Sequence, residues 1–226
     1  MITATGWRRG ATILAALAAA LLPAALPAAA TTTPAVSTVA ERRELPEPPP
    51  VDVVRAELDD LVVEAPHSME GYSRERFPHW IKISGECDTR ETVLARDGQD
   101  VVQDDRCRAV AGTWTSLYDD KTFTNAKALD IDHVVPLAAA WRSGADTWTT
   151  AQRRAFANDL THSQLIAVSA ASNRSKGDKS PDAWRPPATG YWCTYSRAWT
   201  DTKHVYDLSI TASEKIALRE MLDTCA

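Results

Sequence analysis

Three features that would narrow the function of this chain at once are missing from its sequence. Basic residues are not in excess, because 25 lysines and arginines stand against 30 aspartates and glutamates, and the formal net charge is -5. No two cysteines have the C-x-x-C spacing of a structural zinc site. No internal repeat is visible, so a repeat architecture is not expected. The acidic balance argues against a chain that holds polyanions by bulk charge, so any such contact must come from local clustering.

The N-terminus has the pattern of an export signal. Arg8 and Arg9 precede an apolar run over residues 11–26, and three alanines follow at 28–30. Because prolines break the run and it is too short for a comfortable membrane span, we predict a cleaved signal peptide over residues 1–30 and not a retained anchor. The paired arginines leave both the general and the twin-arginine export routes open. The protein is therefore expected to be secreted, with no membrane contact after cleavage.

A change of composition near residue 50 predicts the start of the folded part. Residues 31–50 are rich in Thr, Ala, Pro and Glu and cannot bury enough apolar surface to fold alone, so we predict a disordered linker there. After it, Val54, Leu58 and Leu61 recur at helical spacing. We therefore expect one folded domain over residues 51–226, and a monomer.

The chain has four cysteines, all of them in the exported part. An even number in an oxidising compartment predicts two disulfides, for which three pairings exist. We favour Cys87–Cys107 and Cys193–Cys225, because each pair closes a short local loop and leaves the central segment without cross-links. A zinc site is the less favoured use, since no Cys and His residues cluster locally.

Capping signals and periodicity predict several helices and strands. A good N-cap three residues before Glu or Gln predicts helices after Asp88, Thr149 and Thr211. Alternating or continuous apolar residues predict two strands, one over residues 129–135 that ends at a proline, and one over residues 164–168.

The first of these strands ends in Asp132 and His133, and Asn173 follows about forty residues later, after the second strand. Adjacent residues on a strand point to opposite faces, but at a strand end the backbone can twist until both border one pocket. Carboxylate and amide oxygens suit a hard cation such as Mg²⁺ and suit zinc poorly. A neutral histidine can take a proton from water near neutral pH.

This pattern resembles the HNH endonuclease family, whose ββα-metal motif is two antiparallel strands and a helix around one divalent ion. Residues 132–137 look like the first strand of that motif, residues 165–168 like the second, and residues 173–178 like the start of its helix. The wider pattern is similar to the secreted bacterial branch, and the resemblance covers most of residues 71–192. It implies an α+β fold, a single domain built around the ββα-metal motif with flanking helices and two disulfides.

The resemblance also implies a role for each matching residue. His133 is the expected general base, and Asp132 and Asn173 are the expected ligands of one divalent cation, for which Mg²⁺ is favoured and Mn²⁺ or another divalent ion is the alternative. Contacts to substrate phosphate are expected from three basic residues at the helix, Arg174, Lys176 and Lys179. Supporting roles are expected for Asp130, Asn158 and Gln164.

Gln164 departs from the family pattern. The family usually has an asparagine there, which steadies the hairpin that holds the base, and glutamine keeps the amide but adds one methylene. Asn158 is a second candidate for this role.

The resulting hypothesis is a secreted, metal-dependent endonuclease that cuts DNA, RNA or both and leaves 5′-phosphate products. One alternative is a secreted hydrolase of another phosphodiester polymer. The other is an inactive nucleic-acid-binding domain, which the exchange at Gln164 suggests. Taken alone, Asp132 and His133 would more often form a structural ion pair, and only their combination with Asn173 favours catalysis.

Overall fold

The structure is a computed structural model that describes residues 45–225. The predicted signal peptide over residues 1–30 and most of the predicted linker lie outside the described residues. Among residues 45–225, no helix has the length and apolarity needed to cross a bilayer.

The described chain contains both α-helices and short strands. The helices are α1 (Val51–Asp60), α2 (Thr89–Asp97), α3 (Leu137–Arg142), α4 (Thr150–Ala157), α5 (Ala170–Lys176), α6 (Trp192–Val205) and α7 (Ala212–Leu222). The strands are β1 (Lys82–Ser84), β2 (Cys87–Asp88), β3 (Gln99–Gln103), β4 (Ala109–Ser116), β5 (Lys121–Phe123), β6 (Leu129–His133) and β7 (Leu165–Ser169). The predicted helices after residue 51, Asp88, Thr149 and Thr211 and the two predicted strands are present. The predicted helix start at residues 173–178 is wrong, because α5 begins at Ala170 and ends at Lys176. The strands β1 to β5 and the helices α3 and α6 were not predicted.

The predicted helix starts form as their capping residues dictate. The Asp88 side chain accepts a hydrogen bond from the Glu91 backbone N–H at the start of α2. Complete capping boxes, with Thr149 at α4 and Thr211 at α7, open the other two helices. These contacts satisfy backbone donors that have no partner within the first helical turn.

Strands β6 and β7 form a two-stranded antiparallel sheet, which α5 follows directly and packs against. The register pairs Asp132 with Ile166 and His133 with Leu165. Since paired residues share one face of a sheet, Asp132 and His133 start on opposite faces. This part of the chain thus contains two antiparallel strands and, directly after the second, a helix.

The β6-β7 sheet lies between two hydrophobic cores. Ile166 and Val168 belong to the larger core, which buries apolar residues from α1, α3, α4, α6 and α7. Ile131 and Ala167 belong to a smaller core with α2 and Trp114 of β4. Nearly all of β6 and β7 is buried, so the strand end that carries Asp132 and His133 is held from both sides.

The β3-β4-β5 sheet escaped prediction because its apolar side chains do not alternate clearly. Val102 and Val110 are exposed, while Trp114 is buried and covers two glycines. A side-chain Cβ would lie 2.4 Å from the Trp114 ring at Gly98 and 2.6 Å from it at Gly112. The sheet therefore depends on a close approach between a large indole and bare backbone, which a periodic pattern does not report.

Both predicted disulfides are confirmed. Cys87 pairs with Cys107, and Cys193 of α6 pairs with Cys225 just beyond α7. The described residues contain no free cysteine. They form a single mixed α and β unit that two local covalent links reinforce.

The folded part begins earlier than the composition indicates. Residues 45–50 were assigned to the disordered linker, yet Leu45 is buried, and the Ser163 hydroxyl donates a 2.7 Å hydrogen bond to the Pro46 carbonyl. The Arg197 guanidinium donates to the Pro49 carbonyl at 2.7 Å. The boundary of the folded domain therefore lies at or before Leu45, and not at residue 51.

Candidate active site

One cavity of about 260 Å³ lies where β6 ends, α3 begins and α5 ends. Asp132, His133 and Asn173 all border it, together with Tyr72 and Arg74 from the loop before β1. The strand end therefore brings neighbouring residues from opposite faces to one opening, as the sequence analysis expects.

His133 is held in a defined orientation. Its side chain is buried, with the Nε2 atom 3.0 Å from the Ala157 carbonyl oxygen. Since a carbonyl oxygen can only accept, Nε2 carries the proton of the neutral ring and Nδ1 is the nitrogen that can accept one. The Trp80 ring stacks on the imidazole at a centroid distance of 5.6 Å. The backbone contact and the stacked ring fix both the tautomer and the tilt of the ring.

Burial lowers the pKa of His133 to about 3, because the imidazolium would lose its hydration, and the positive charges of Arg74 and Lys176 act in the same direction. The hydrogen bond to Ala157 opposes this shift. The ring is therefore neutral throughout the neutral pH range, which is the form that a general base requires.

Asp132 forms a buried ion pair with Lys176. The Lys176 Nζ atom lies 2.8 Å from one carboxylate oxygen and 3.0 Å from the other, and Tyr118 donates a 2.6 Å hydrogen bond to the same carboxylate. Lys176 also donates to the His133 carbonyl oxygen at 2.8 Å. Burial raises the pKa of Asp132 and lowers that of Lys176, while the attraction between them opposes both shifts. The pair ties α5 to the end of β6.

The predicted substrate role of Lys176 is wrong. Its side chain is completely buried, so it cannot reach a phosphate in solution. Lys176 is the last residue of α5 and not near its start, and its ammonium points to Asp132 and to the His133 carbonyl of β6. Lys179 is exposed, yet its ammonium donates to the Ser175 carbonyl at 2.6 Å and does not border the cavity. Arg174 does border the cavity, and 77% of its side chain is exposed.

Asn173 bonds to Asp130 and not to Asp132. Its Nδ2 donates a 3.2 Å hydrogen bond to an Asp130 carboxylate oxygen, from which the Arg174 Nε atom is 3.8 Å away. The side-chain oxygen of Asn173 accepts no hydrogen bond from residues 45–225. Asp130 thus orients the amide so that its oxygen remains available in the cavity wall.

Gln164 bridges the chain just after the predicted base. Its side-chain oxygen accepts from the Val135 N–H at 3.0 Å, and its side-chain nitrogen donates to the Val135 carbonyl at 2.9 Å. The Gln164 carbonyl also accepts from the Val134 N–H at 2.8 Å. The longer side chain therefore still reaches the turn that leads from β6 into α3, which is the contact expected of a supporting amide.

Asn158 anchors the chain segment around Trp80, the residue that stacks on His133. Its side-chain oxygen accepts from the Thr89 hydroxyl at 2.7 Å and from the Ile81 N–H at 3.2 Å, while its nitrogen donates to the Pro78 carbonyl at 2.8 Å. These bonds fix the segment that carries Trp80 against His133. Sequence reasoning missed Trp80, Tyr72 and Arg74, because they lie far from the motif along the chain and have no motif of their own.

The donors around the cavity fit a hard cation only in part. Residues 45–225 contain no group of three or more His, Cys, Asp or Glu side chains that could hold a metal. Mg²⁺ commonly uses one or two protein oxygens and completes its shell with water and phosphate. Asp132 and Asn173 both border the cavity, and the Asn173 side-chain oxygen accepts no hydrogen bond from residues 45–225. Both oxygens of Asp132, in contrast, already contact Lys176 or Tyr118. Zinc, which prefers nitrogen and sulfur, does not suit this set.

Comparison with known proteins adds two similarities. Residues 88–221 match the family described as "GmrSD restriction endonucleases, C-terminal domain". A protein of the fungus Arthroderma benhamiae, described as "Uncharacterized secreted protein", is 53% identical over 194 residues, which cover 84% of this chain and 95% of that protein. No solved structure matches the chain. Because this relative is fungal, the predicted bacterial branch is not confirmed.

Proposed function

Because this chain belongs to the family of GmrSD restriction endonuclease C-terminal domains, we propose that it is a secreted, metal-dependent endonuclease of the HNH type. Its substrate is a phosphodiester bond of DNA, RNA or both. The observation that carries the proposal is the convergence of His133, Asp132 and Asn173 on one cavity. All three lie within the matched region, at the end of an antiparallel strand pair and on the helix that follows it.

His133 acts as the general base. Its Nε2–H is engaged by the Ala157 carbonyl, so Nδ1 takes the proton from the attacking water. The imidazolium formed in this step is stabilised by the same carbonyl. An arriving phosphate adds negative charge beside the ring, which raises the basicity that burial lowers.

Asp132 and Asn173 would hold the divalent cation, and Mg²⁺ is the ion that best suits two protein oxygens beside water and phosphate. When bound, such a cation offsets the charge that develops on the phosphate and on the departing 3′-oxygen. Lys176 fixes the Asp132 carboxylate and the His133 carbonyl in one arrangement. The exposed Arg174 guanidinium contacts the substrate backbone.

Secretion is part of the proposal, and three observations support it. The N-terminus has an export pattern, the described cysteines are all paired in disulfides, and the fungal relative is described as secreted. Disulfides persist in oxidising compartments outside the cytosol.

The test uses the purified mature protein with plasmid DNA and with RNA, each in Mg²⁺ and in EDTA. We expect cutting that EDTA abolishes and that a His133→Ala variant lacks. His204→Ala is the matched control, because that histidine is 43% exposed and does not border the cavity. Circular dichroism checks that both variants are folded. If the folded wild-type protein cuts neither polymer with Mg²⁺ or Mn²⁺ and still binds them, the inactive binding domain is the better account.

A further inference from the structure

The loop before β1 forms a wall of the cavity, although it precedes the matched family region. Tyr72 and Arg74 border the cavity, and Trp80 stacks on His133. The family match begins only at residue 88. A chain segment outside the family domain therefore completes the surroundings of the predicted base.

The backbone of this segment is firmly anchored. Phe77 is completely buried, and the Tyr72 ring packs against the Trp141 ring at a centroid distance of 5.7 Å. The Arg153 guanidinium donates a 3.1 Å hydrogen bond to the Arg76 carbonyl. The short 3-10 turn over Arg74–Arg76 is thus held in place by core contacts on both sides.

All three residues of this anchored turn are exposed, and of them only Arg74 borders the cavity. It borders the cavity beside Asp132 and His133, and no carboxylate of residues 45–225 lies within ion-pair distance of its guanidinium. Arg142, which also lies near the cavity, differs in this respect, because it pairs with Asp178 at 2.6 Å. The positive charge of Arg74 therefore borders the cavity without a carboxylate partner among residues 45–225.

The geometry points to Arg74 as a substrate-binding residue that receives the phosphate of the bond to be cut. This inference rests on the proposed function and deepens it, since it assigns a phosphate contact to the segment that precedes the family domain. A guanidinium offers a planar fork of donors that matches two phosphate oxygens at once. Arg174 borders the same cavity from α5, so the substrate backbone is contacted from two separate elements.

The experiment compares Arg74→Ala and Arg74→Lys with Arg76→Ala. Arg76 belongs to the same 3-10 turn, but it does not border the cavity, and its guanidinium lies over the Trp141 ring at 5.7 Å. Two readouts are used: kcat/KM on a short labelled duplex, and equilibrium binding of that duplex in EDTA over a range of salt concentrations.

For Arg74→Ala we expect kcat/KM to fall about 10- to 100-fold, because the phosphate loses one charge-assisted hydrogen-bonding partner. The slope of log binding constant against log salt should decrease by about 0.9, which corresponds to one phosphate contact on B-DNA. Arg74→Lys should recover part of the rate, because it restores the charge without the fork. Arg76→Ala should stay within about twofold of the wild type, and all melting temperatures should agree.

Equal effects of Arg74→Ala and Arg76→Ala on rate and on salt dependence would overturn the inference. The binding measurement distinguishes a failure of this inference from a failure of the proposed endonuclease function. If the wild type cuts nothing, endonuclease activity fails, yet weaker and less salt-dependent duplex binding by Arg74→Ala still supports the phosphate contact. Unchanged binding in that case refutes the contact as well.

Discussion

Replacing Lys176 with methionine tests whether the buried pair with Asp132 holds the site together. Methionine keeps most of the volume of the lysine stem but removes the ammonium. The Lys176 side chain is 0% exposed and that of Asp132 only 6%, so water cannot replace the lost partner. Asp132 would retain the Tyr118 hydroxyl, while the His133 carbonyl would lose its bond from Lys176.

The expected loss in the free energy of unfolding follows from the burial of both residues and from the 2.8 Å distance between the Lys176 Nζ atom and the Asp132 carboxylate oxygen. Removing one partner of a buried ion pair costs about 3 to 5 kcal/mol, because the other charge is left without compensation. For a domain of this size, that loss lowers the melting temperature on the order of 10 °C.

Urea unfolding, followed by tryptophan fluorescence with the disulfides intact, measures the free energy of unfolding. Lys179→Met is the control, since that exposed lysine should matter by less than about 0.5 kcal/mol. The double variant Lys176→Met with Asp132→Asn should recover part of the loss, because it removes the unpaired charge. A Lys176→Met protein within about 1 kcal/mol of the wild type would refute the reasoning.

Three further predictions concern pH and the supporting contacts. Because burial lowers the pKa of His133 to about 3, the kcat/KM of the wild type should show no histidine inflection between pH 7 and pH 5; an inflection near about 6.5 contradicts the buried position. Gln164→Ala leaves the Val135 N–H and carbonyl unpaired, so urea unfolding should show a loss of about 2 kcal/mol or more, and an unchanged stability argues against the bridge. The hydrogen bond with Asp146 raises the pKa of His67, so its stabilisation is complete below about pH 6.5 and is lost as pH rises through the higher folded-state pKa. The stability difference between wild type and His67→Ala, under about 1 kcal/mol, should therefore shrink from pH 5.5 to pH 8.5, and a difference that grows refutes it.

The candidate site was predictable wherever its residues lie close together in a recognisable pattern. Asp132, His133 and Asn173 could be identified from the two apolar strand patterns and the short motif at residues 173–178, although α5 ends in that motif and does not begin there. A supporting amide at Gln164 could also be expected, but its partner, the backbone of Val135, was not identified from the sequence. The disulfide pairs followed from loop length alone.

The sequence was misleading where a side chain's role depends on which surface covers it. Lys176 stands among polar and charged neighbours in the sequence, which is typical of a solvated helix residue. In the structure α5 packs against β6, and the Lys176 ammonium lies between the Asp132 carboxylate and the His133 carbonyl. Residues 45–50 look like a linker, yet α6 offers the Arg197 guanidinium to their carbonyls. Neither outcome has a local signal.

The sequence by itself determined the capped starts of α2, α4 and α7, the two buried strands and the choice of Asp132, His133 and Asn173, because these depend on patterns that are local along the chain. It also determined the disulfides, because each pair closes a loop of only 20 or 32 residues. Only the tertiary structure decided that Lys176 is a buried counter-ion, that Trp80 stacks on His133 and that Arg74 faces the cavity. These contacts join segments that are distant in sequence, and burial between such segments sets both the charge environment and the accessibility of each group.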